Sequence, residues 1–328
     1  MSRPRPSFRI NWPGSCQRTC IGTVWLCIAA LTAATAVAQV PSDLLKKDGP
    51  VADQEPITPI PLPPSADPLR LALGERLFSD KRLSASGTLA CSSCHDIRSN
   101  GARPNDGTVS RPFDTLTVFN AVLSFRLNWE GNFRSPAAQV VSSLENPVNM
   151  RSSVEDVVRK LKADLGIVDQ FRAAYGGEPD RERFLDAMVT FERSLVTPGG
   201  RFDRWLSGDR SALSEEELEG YRLFKSVGCS SCHQGVNVGG NLFEQQGIFH
   251  PLVRRPPEIV RVPSLRNVAT TAPYFHDGSA ATLQDAVRRM AASQLDRTLT
   301  DQQVESLVAF LRTLTGNYRG SPVVGAAP

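Results

Sequence analysis

Cysteine is missing from this chain outside its N-terminus and two short runs. Of its seven cysteines, Cys16, Cys20 and Cys27 lie near the N-terminus and the other four fall in two short runs. None is left over for a structural bridge, which excludes a disulfide-stapled fold. Histidine is as scarce, with four in 328 residues and none between His95 and His233. Methionine is limited to Met1, Met150, Met188 and Met290. No strand-rich region stands out, so a β-sandwich or barrel is excluded in favour of an all-α chain. Acidic residues are absent from the first 38 positions, which carry Arg3, Arg5, Arg9 and Arg18.

What is present is a repeated five-residue run. Cys91-Ser-Ser-Cys94-His95 recurs as Cys229-Ser-Ser-Cys232-His233. Two thiols one turn apart suit addition to the two vinyl groups of a haem, and the adjacent histidine suits the iron. A zinc site would draw two such pairs close together, whereas these lie 138 positions apart and each carries its own histidine. Two covalently bound c-type haems, held by Cys91, Cys94, His95, Cys229, Cys232 and His233, are therefore expected, and with them redox function.

The N-terminus reads as an address. A basic flank leads into an apolar run from about Cys20 to Ala38 that ends in Ala36-Val37-Ala38, the small-x-small pattern of a cleavable signal. A retained anchor would share the flank and the run, but the alanines and threonines in it favour removal. Residues 1–38 are thus read as a signal peptide, and the location as the periplasm, where haem is attached through thioethers. Taking four arginines from a formal charge of +3 leaves −1, so the basic pI gives no reason to expect nucleic acid as a partner.

Residues 39–67, with Pro56, Pro59, Pro61, Pro63 and Pro64, read as an extended, poorly packed, disordered linker. Asp67-Pro68 reads as a helix start, with Leu69, Leu73 and Leu77 on one face. Gly74-Glu-Arg-Leu-Phe78 before the first haem motif matches Gly220-Tyr-Arg-Leu-Phe224 before the second, with a longer gap in the first copy. Val189-Thr-Phe191-Glu-Arg193-Ser-Leu195 matches Val308-Ala-Phe310-Leu-Arg312-Thr-Leu314 in the same register. The chain therefore reads as a duplication: two cytochrome c-like haem domains in tandem, 68–200 and 201–318, joined at Pro198-Gly199-Gly200 and followed by a tail, 319–328. Ser214-x-x-Glu217 and Thr300-x-x-Gln303 are capping boxes for two helices of the second domain.

The second axial position of each iron separates electron transfer from chemistry. In the second domain the candidates are Met290, His250 and His276, and Met290 fits best by spacing. In the first domain Met188 reads as core, Met150 stays open, and the absence of histidine points to an open or water-held sixth position that can bind peroxide or another small ligand.

On these residues the chain resembles the bacterial dihaem cytochrome c peroxidases and the related MauG-type enzymes over about residues 68–318. The segments that carry the resemblance are Leu77–Ser84, Thr117–Ala121, Asn128–Gly131, Glu145–Met150, and Val262–Val268 through Ala272–Gly278. The resemblance implies that the first haem reacts with peroxide and that the second, with Met290 as ligand, takes up electrons. It implies that Trp129 lies between the haems. It implies calcium between the domains, with Asp114 at the side-chain ligand position and Thr271 and Pro273 as carbonyl donors. Dimers are common among such proteins, and nothing in the sequence signals one independently.

Two departures qualify it. The family's displaceable distal histidine falls at Arg111, so no reductive activation is expected. Its acid–base glutamate falls at Asn149, and an amide cannot shuttle the proton that O–O cleavage needs; Glu145, one turn earlier if that segment is helical, is the substitute. The expected function is a periplasmic dihaem oxidoreductase. Its partners would be hydrogen peroxide and a small redox protein, of cytochrome c or cupredoxin type, as electron donor. The alternatives are a dihaem electron carrier without peroxide chemistry, or a MauG-like oxidase of a partner protein.

Overall fold

The computed structural model describes residues 55–104, 113–253 and 256–325. Among these it is mostly helical, with two small two-stranded sheets, and no helix is long and apolar enough to cross a membrane. The architecture is two cytochrome c-type domains in tandem, each built around its own apolar cluster.

In the first half, α1 (Pro68–Phe78) crosses α5 (Arg181–Ser194), with α2 (Pro136–Glu145), α3 (Val154–Lys162) and α4 (Leu165–Tyr175) packed around them. In the second, α6 (Arg201–Leu206) leads to α7 (Glu215–Val227), which crosses α9 (Asp301–Arg312), with α8 (Leu283–Leu295) alongside. The helix ends follow local chemistry. The Asp67 carboxylate accepts from the N–H groups of Leu69 and Arg70, and both capping boxes form, Ser214 with Glu217 and Thr300 with Gln303. Val304, Leu307, Val308, Leu311 and Leu314 are all buried. Leu69 departs from the expected stripe. It sits in the first turn of α1, short of the crossing, and is exposed while Leu73 and Leu77 are buried.

The duplication is visible atom by atom. A Cβ at Gly74 would overlap the Ala187 carbonyl oxygen, and one at Gly220 the Ser306 carbonyl oxygen, so each helix crossing depends on a glycine at the same place. Phe78 meets Phe191 at 5.2 Å and Phe224 meets Phe310 at 5.1 Å, centroid to centroid. Asn120 and Asn267 both have φ 60°, a conformation that asparagine tolerates better than other residues with a Cβ. Asn120 N–H donates to Leu195 O (2.8 Å) and its Oδ1 accepts from Thr197 N (2.8 Å). Asn267 N–H donates to Leu314 O (3.1 Å) and its Oδ1 accepts from Gly316 N (2.9 Å). Both Nδ2 groups donate to one hydroxyl, that of Thr197.

The termini differ from a tether and a tail. Residues 55–61 are packed against the second half, contrary to the expectation of poor packing across 39–67. Ile57 is fully buried in the second-half core and Ile60 is also buried. Prolines favour a left-handed extended helix of three residues per turn, which puts positions 57 and 60 on one face. Gly235 N–H donates to Pro56 O (2.8 Å) and Arg266 Nη2 to Thr58 O (2.7 Å). At the other end Val323 is buried in the first-half core, Tyr318 packs on Phe119, and Arg319 grips Glu75 with two hydrogen bonds. Each half is therefore closed by the far terminus.

Candidate functional site

Each Cys-Ser-Ser-Cys-His run forms the same short 3-10 turn, Cys91–Ser93 and Cys229–Ser231. His95 N–H donates to Cys91 O (2.9 Å) and His233 N–H to Cys229 O (3.0 Å). The ring of each histidine is then fixed from behind. His95 Nδ1 meets Gly101 O at 3.0 Å and His233 Nδ1 meets Val238 O at 3.2 Å. A carbonyl only accepts, so Nδ1 carries the proton and Nε2 is left as the basic nitrogen, as an iron-ligating imidazole requires. Burial pulls His233 down to about 4, so it is neutral at physiological pH. None of these four cysteines is paired in a disulfide. Burial pushes Cys91 up to about 12 and Cys229 to about 11. The nearby Glu192 carboxylate raises Cys91 further.

The two turns and their fixed imidazoles thus fit covalent haem in both halves, but the flanking groups differ. Met290 lies on α8 and is half-buried. His250, the exposed alternative, has its Nε2 at 3.0 Å from Asp296. In the first half Met188 and Met150 are both buried in the apolar core. Glu145 is the last residue of α2 and is exposed, whereas Asn149 lies beyond the helix in a turn, its N–H on Asn146 O (3.1 Å). The helical spacing that would put the two side chains on one face therefore stops at Glu145. Arg111 lies outside the described residues.

Trp129 and His276 occupy equivalent positions. Each follows a residue of positive φ (Asn128, 71°; Phe275, 68°) and precedes a glycine of positive φ (Gly131, Gly278). Each sits in a loop closed by one bridge, Leu127 with Phe133 and Tyr274 with Ala280. The two rings meet edge-on, 6.2 Å between centroids. Trp129 Nε1 donates to Asp114 O (3.0 Å) and Asp114 N–H donates to His276 O (2.9 Å). Gln246 donates from Nε2 to Pro257 O, so its Oε1 faces His276 Nδ1 at 3.1 Å and fixes the proton there. The sequence offered His276 only as an axial candidate. Its pairing with Trp129 follows from the duplicated loop, which the shared glycine spacing in Trp129-Glu-Gly131 and His276-Asp-Gly278 could have revealed.

Asp114, Thr271 and Pro273 line one cavity of about 20 Å³ with Asn100 and Arg103. The Asp114 carboxylate is a hard-oxygen donor of the kind calcium takes, and the volume exceeds the ~10–15 Å³ that one water needs. Arg103 opposes a cation there, although its Nη1 is drawn to Ser93 O (3.1 Å).

A family model described as di-haem cytochrome c peroxidase matches residues 68–211, and one described as cytochrome c matches 218–315. The chain is 37% identical to cytochrome c551 peroxidase of Nitrosomonas europaea over 292 residues, 82% of this chain and 86% of the relative. The chain belongs to the di-haem cytochrome c peroxidase family. Within that family it is also 32% identical to methylamine utilization protein MauG of Methylorubrum extorquens, over 76% of this chain and 80% of the relative. A solved MauG-like protein associated with microbial copper homeostasis matches with a TM-score of 0.66 at 26% identity, covering 78% of this chain and 93% of that one. Membership in a di-haem family implies two c-type haems, in agreement with the two matching turns.

Proposed function

We propose that this protein is a periplasmic peroxidase-class oxidoreductase in which electrons enter at the second haem, held by His233 and Met290, pass by Trp129, and reach peroxide at an open first haem held by His95. Bound haem supplies reversible one-electron chemistry and, where a coordination site is open, a place for peroxide. The observation that carries this reading is an asymmetry on a duplicated frame. Both proximal histidines are fixed alike, yet only the second half presents a methionine outside the apolar core. The units meant are 68–200 and 201–318, after a cleaved signal.

Around the first haem the chain's residues orient rather than shuttle. Asn149 offers an amide donor and acceptor to peroxide but no titratable proton. Glu145, exposed at the end of α2, is poorly placed to replace a carboxylate at 149. Turnover is therefore slow for the class. Trp129, its indole N–H held by Asp114 O, supplies the aromatic surface between the halves. Asp114, Thr271 and Pro273 form the candidate calcium site. The donor is a small redox protein of cytochrome c or cupredoxin type, and the working unit is a monomer or homodimer.

The optical spectrum of the resting oxidised protein, with and without peroxide, tests this reading. A high-spin signal that responds within seconds is expected. A fully low-spin, peroxide-inert spectrum would overturn it in favour of an electron carrier.

A further inference from the structure

Among the described residues of the second half two arginines are buried, and only one has its counter-charge. Arg266 donates from Nη1 to Asp203 Oδ1 (2.7 Å), from Nη2 to Thr58 O (2.7 Å) and from Nε to Val236 O (2.8 Å). Arg261, five positions earlier, is 6% exposed. Its backbone N–H donates to Trp129 O (2.8 Å) and its Nε to Asn128 O (3.1 Å), which ties it to the first half. Its Nη1 is buried with no partner among the described residues. Burial pulls the guanidinium below its ordinary value with no carboxylate to offset it. An enclosed cation without an anion is strongly unfavourable, so a negative group belongs there.

The surroundings say where that anion comes from. Arg261 ends β2 (Ile259–Arg261), which pairs with β1 (Phe243–Gln245). In β1, Glu244 Oε1 lies 3.9 Å from Cys232 Sγ, a haem-attachment thiol. Gly240 stands in front of the guanidinium. Seven residues after His233, it has φ 81°, and a Cβ there would lie in contact with Nη1 at 3.5 Å and crowd Ser124 Oγ at 2.9 Å, so the loop that follows the second haem motif abuts the guanidinium. A c-type haem carries two propionate carboxylates, and an arginine fork matches a carboxylate.

We propose that Arg261 is the anchor for a haem propionate at the junction of the two halves, and that through this contact it sets the reduction potential of that haem. The proposal rests on the di-haem reading. Arg261 acts here as a positioning residue, holding a cofactor carboxylate with one part of its side chain and the Trp129 loop with another.

The test is spectroelectrochemical titration of the full-length Arg261→Gln protein, after mass spectrometry has counted its haems. Fewer than two haems on the unmutated protein would sink the di-haem reading itself. With two haems attached, loss of the positive charge should favour the ferric form of one haem about tenfold, a fall of about 59 mV for a one-electron couple. A fall at the second haem assigns the carboxylate to the group beside Cys232, and a fall at the first assigns it to the other haem. Arg261→Lys, which keeps the charge, should stay within about threefold of the parent. Two unchanged potentials in Arg261→Gln, with only a lower melting temperature, would overturn the proposal. If the glutamine variant does not take up haem, the lysine variant decides: uptake with near-parent potentials supports the anchor, and failure of lysine as well overturns it in favour of a packing role.

Discussion

The two halves of this molecule share a skeleton and differ at the places where skeleton meets chemistry. Gly74 and Gly220, Phe191 and Phe310, Asn120 and Asn267 do the same work twice. At matched loop positions the first half carries Trp129 and the second His276. The second half also has a methionine outside its apolar core, while the first has buried its two. Backbone packing restrains a fold far more tightly than ligand identity does. A duplicated domain can therefore keep every crossing and cap while its two cofactor environments diverge.

That contrast can be broken, beginning with the largest effect. If Asn149 faces the first haem as proposed, Asn149→Glu supplies a proton-shuttling carboxylate there, and peroxide turnover should rise by roughly 10²–10⁴-fold. Steady-state peroxide consumption measures it, and an unchanged rate would mean that another group already moves the proton. Gly74→Ala and Gly220→Ala should each cost about 1–3 kcal/mol, because the new methyl meets a carbonyl oxygen across the crossing. Denaturant unfolding checks this, and the symmetry predicts similar losses for the two.

The next tests sharpen the comparison. Thr197→Val removes the hydroxyl shared by Asn120 and Asn267. A loss of about 1–3 kcal/mol is expected, from buried donors left unpaired. A double-mutant cycle with Asn120→Ala and with Asn267→Ala should show coupling to both halves. A pH-dependent test lies at Glu192, whose carboxyl burial pushes up to about 8. The folded protein then holds a proton that the unfolded chain releases above its ordinary value near 4.5. Stability falls as pH rises through that window, by at most about 1.36 kcal/mol per pH unit, and the loss is complete above 8. Glu192→Gln should flatten this slope, and thermal melts between pH 5 and 8 would show it.

Much of the frame was readable from local chemistry. The two haem motifs, the capping boxes, the α9 stripe and the duplicated Gly-x-x-x-Phe segments all depend on residues within a few positions of one another. Other features depend on partners brought together only by folding. Asn120 and Asn267 look unrelated in sequence because their neighbours differ, and their equivalence appears only in bonds to residues 75 and 47 positions away. Proline content suggested an extended, poorly packed segment over 39–67 but could not say that Ile57 had a core to enter. Glu145 and Asn149 looked like one helical face until Asn146 ended the helix. Arg261 carries no signal in the sequence because a single arginine in a loop-rich stretch makes no pattern; what sets it apart is a buried Nη1 without a hydrogen-bond partner among the described residues.

The exchange of ends has a practical consequence. Residue 57 plugs the interior of the later half, and residue 323 plugs that of the earlier one. A gene split after Gly200 would hand each fragment the wrong stopper. Separately expressed halves should refold only when mixed, and a single-haem version of this protein would need the missing strand grafted onto it.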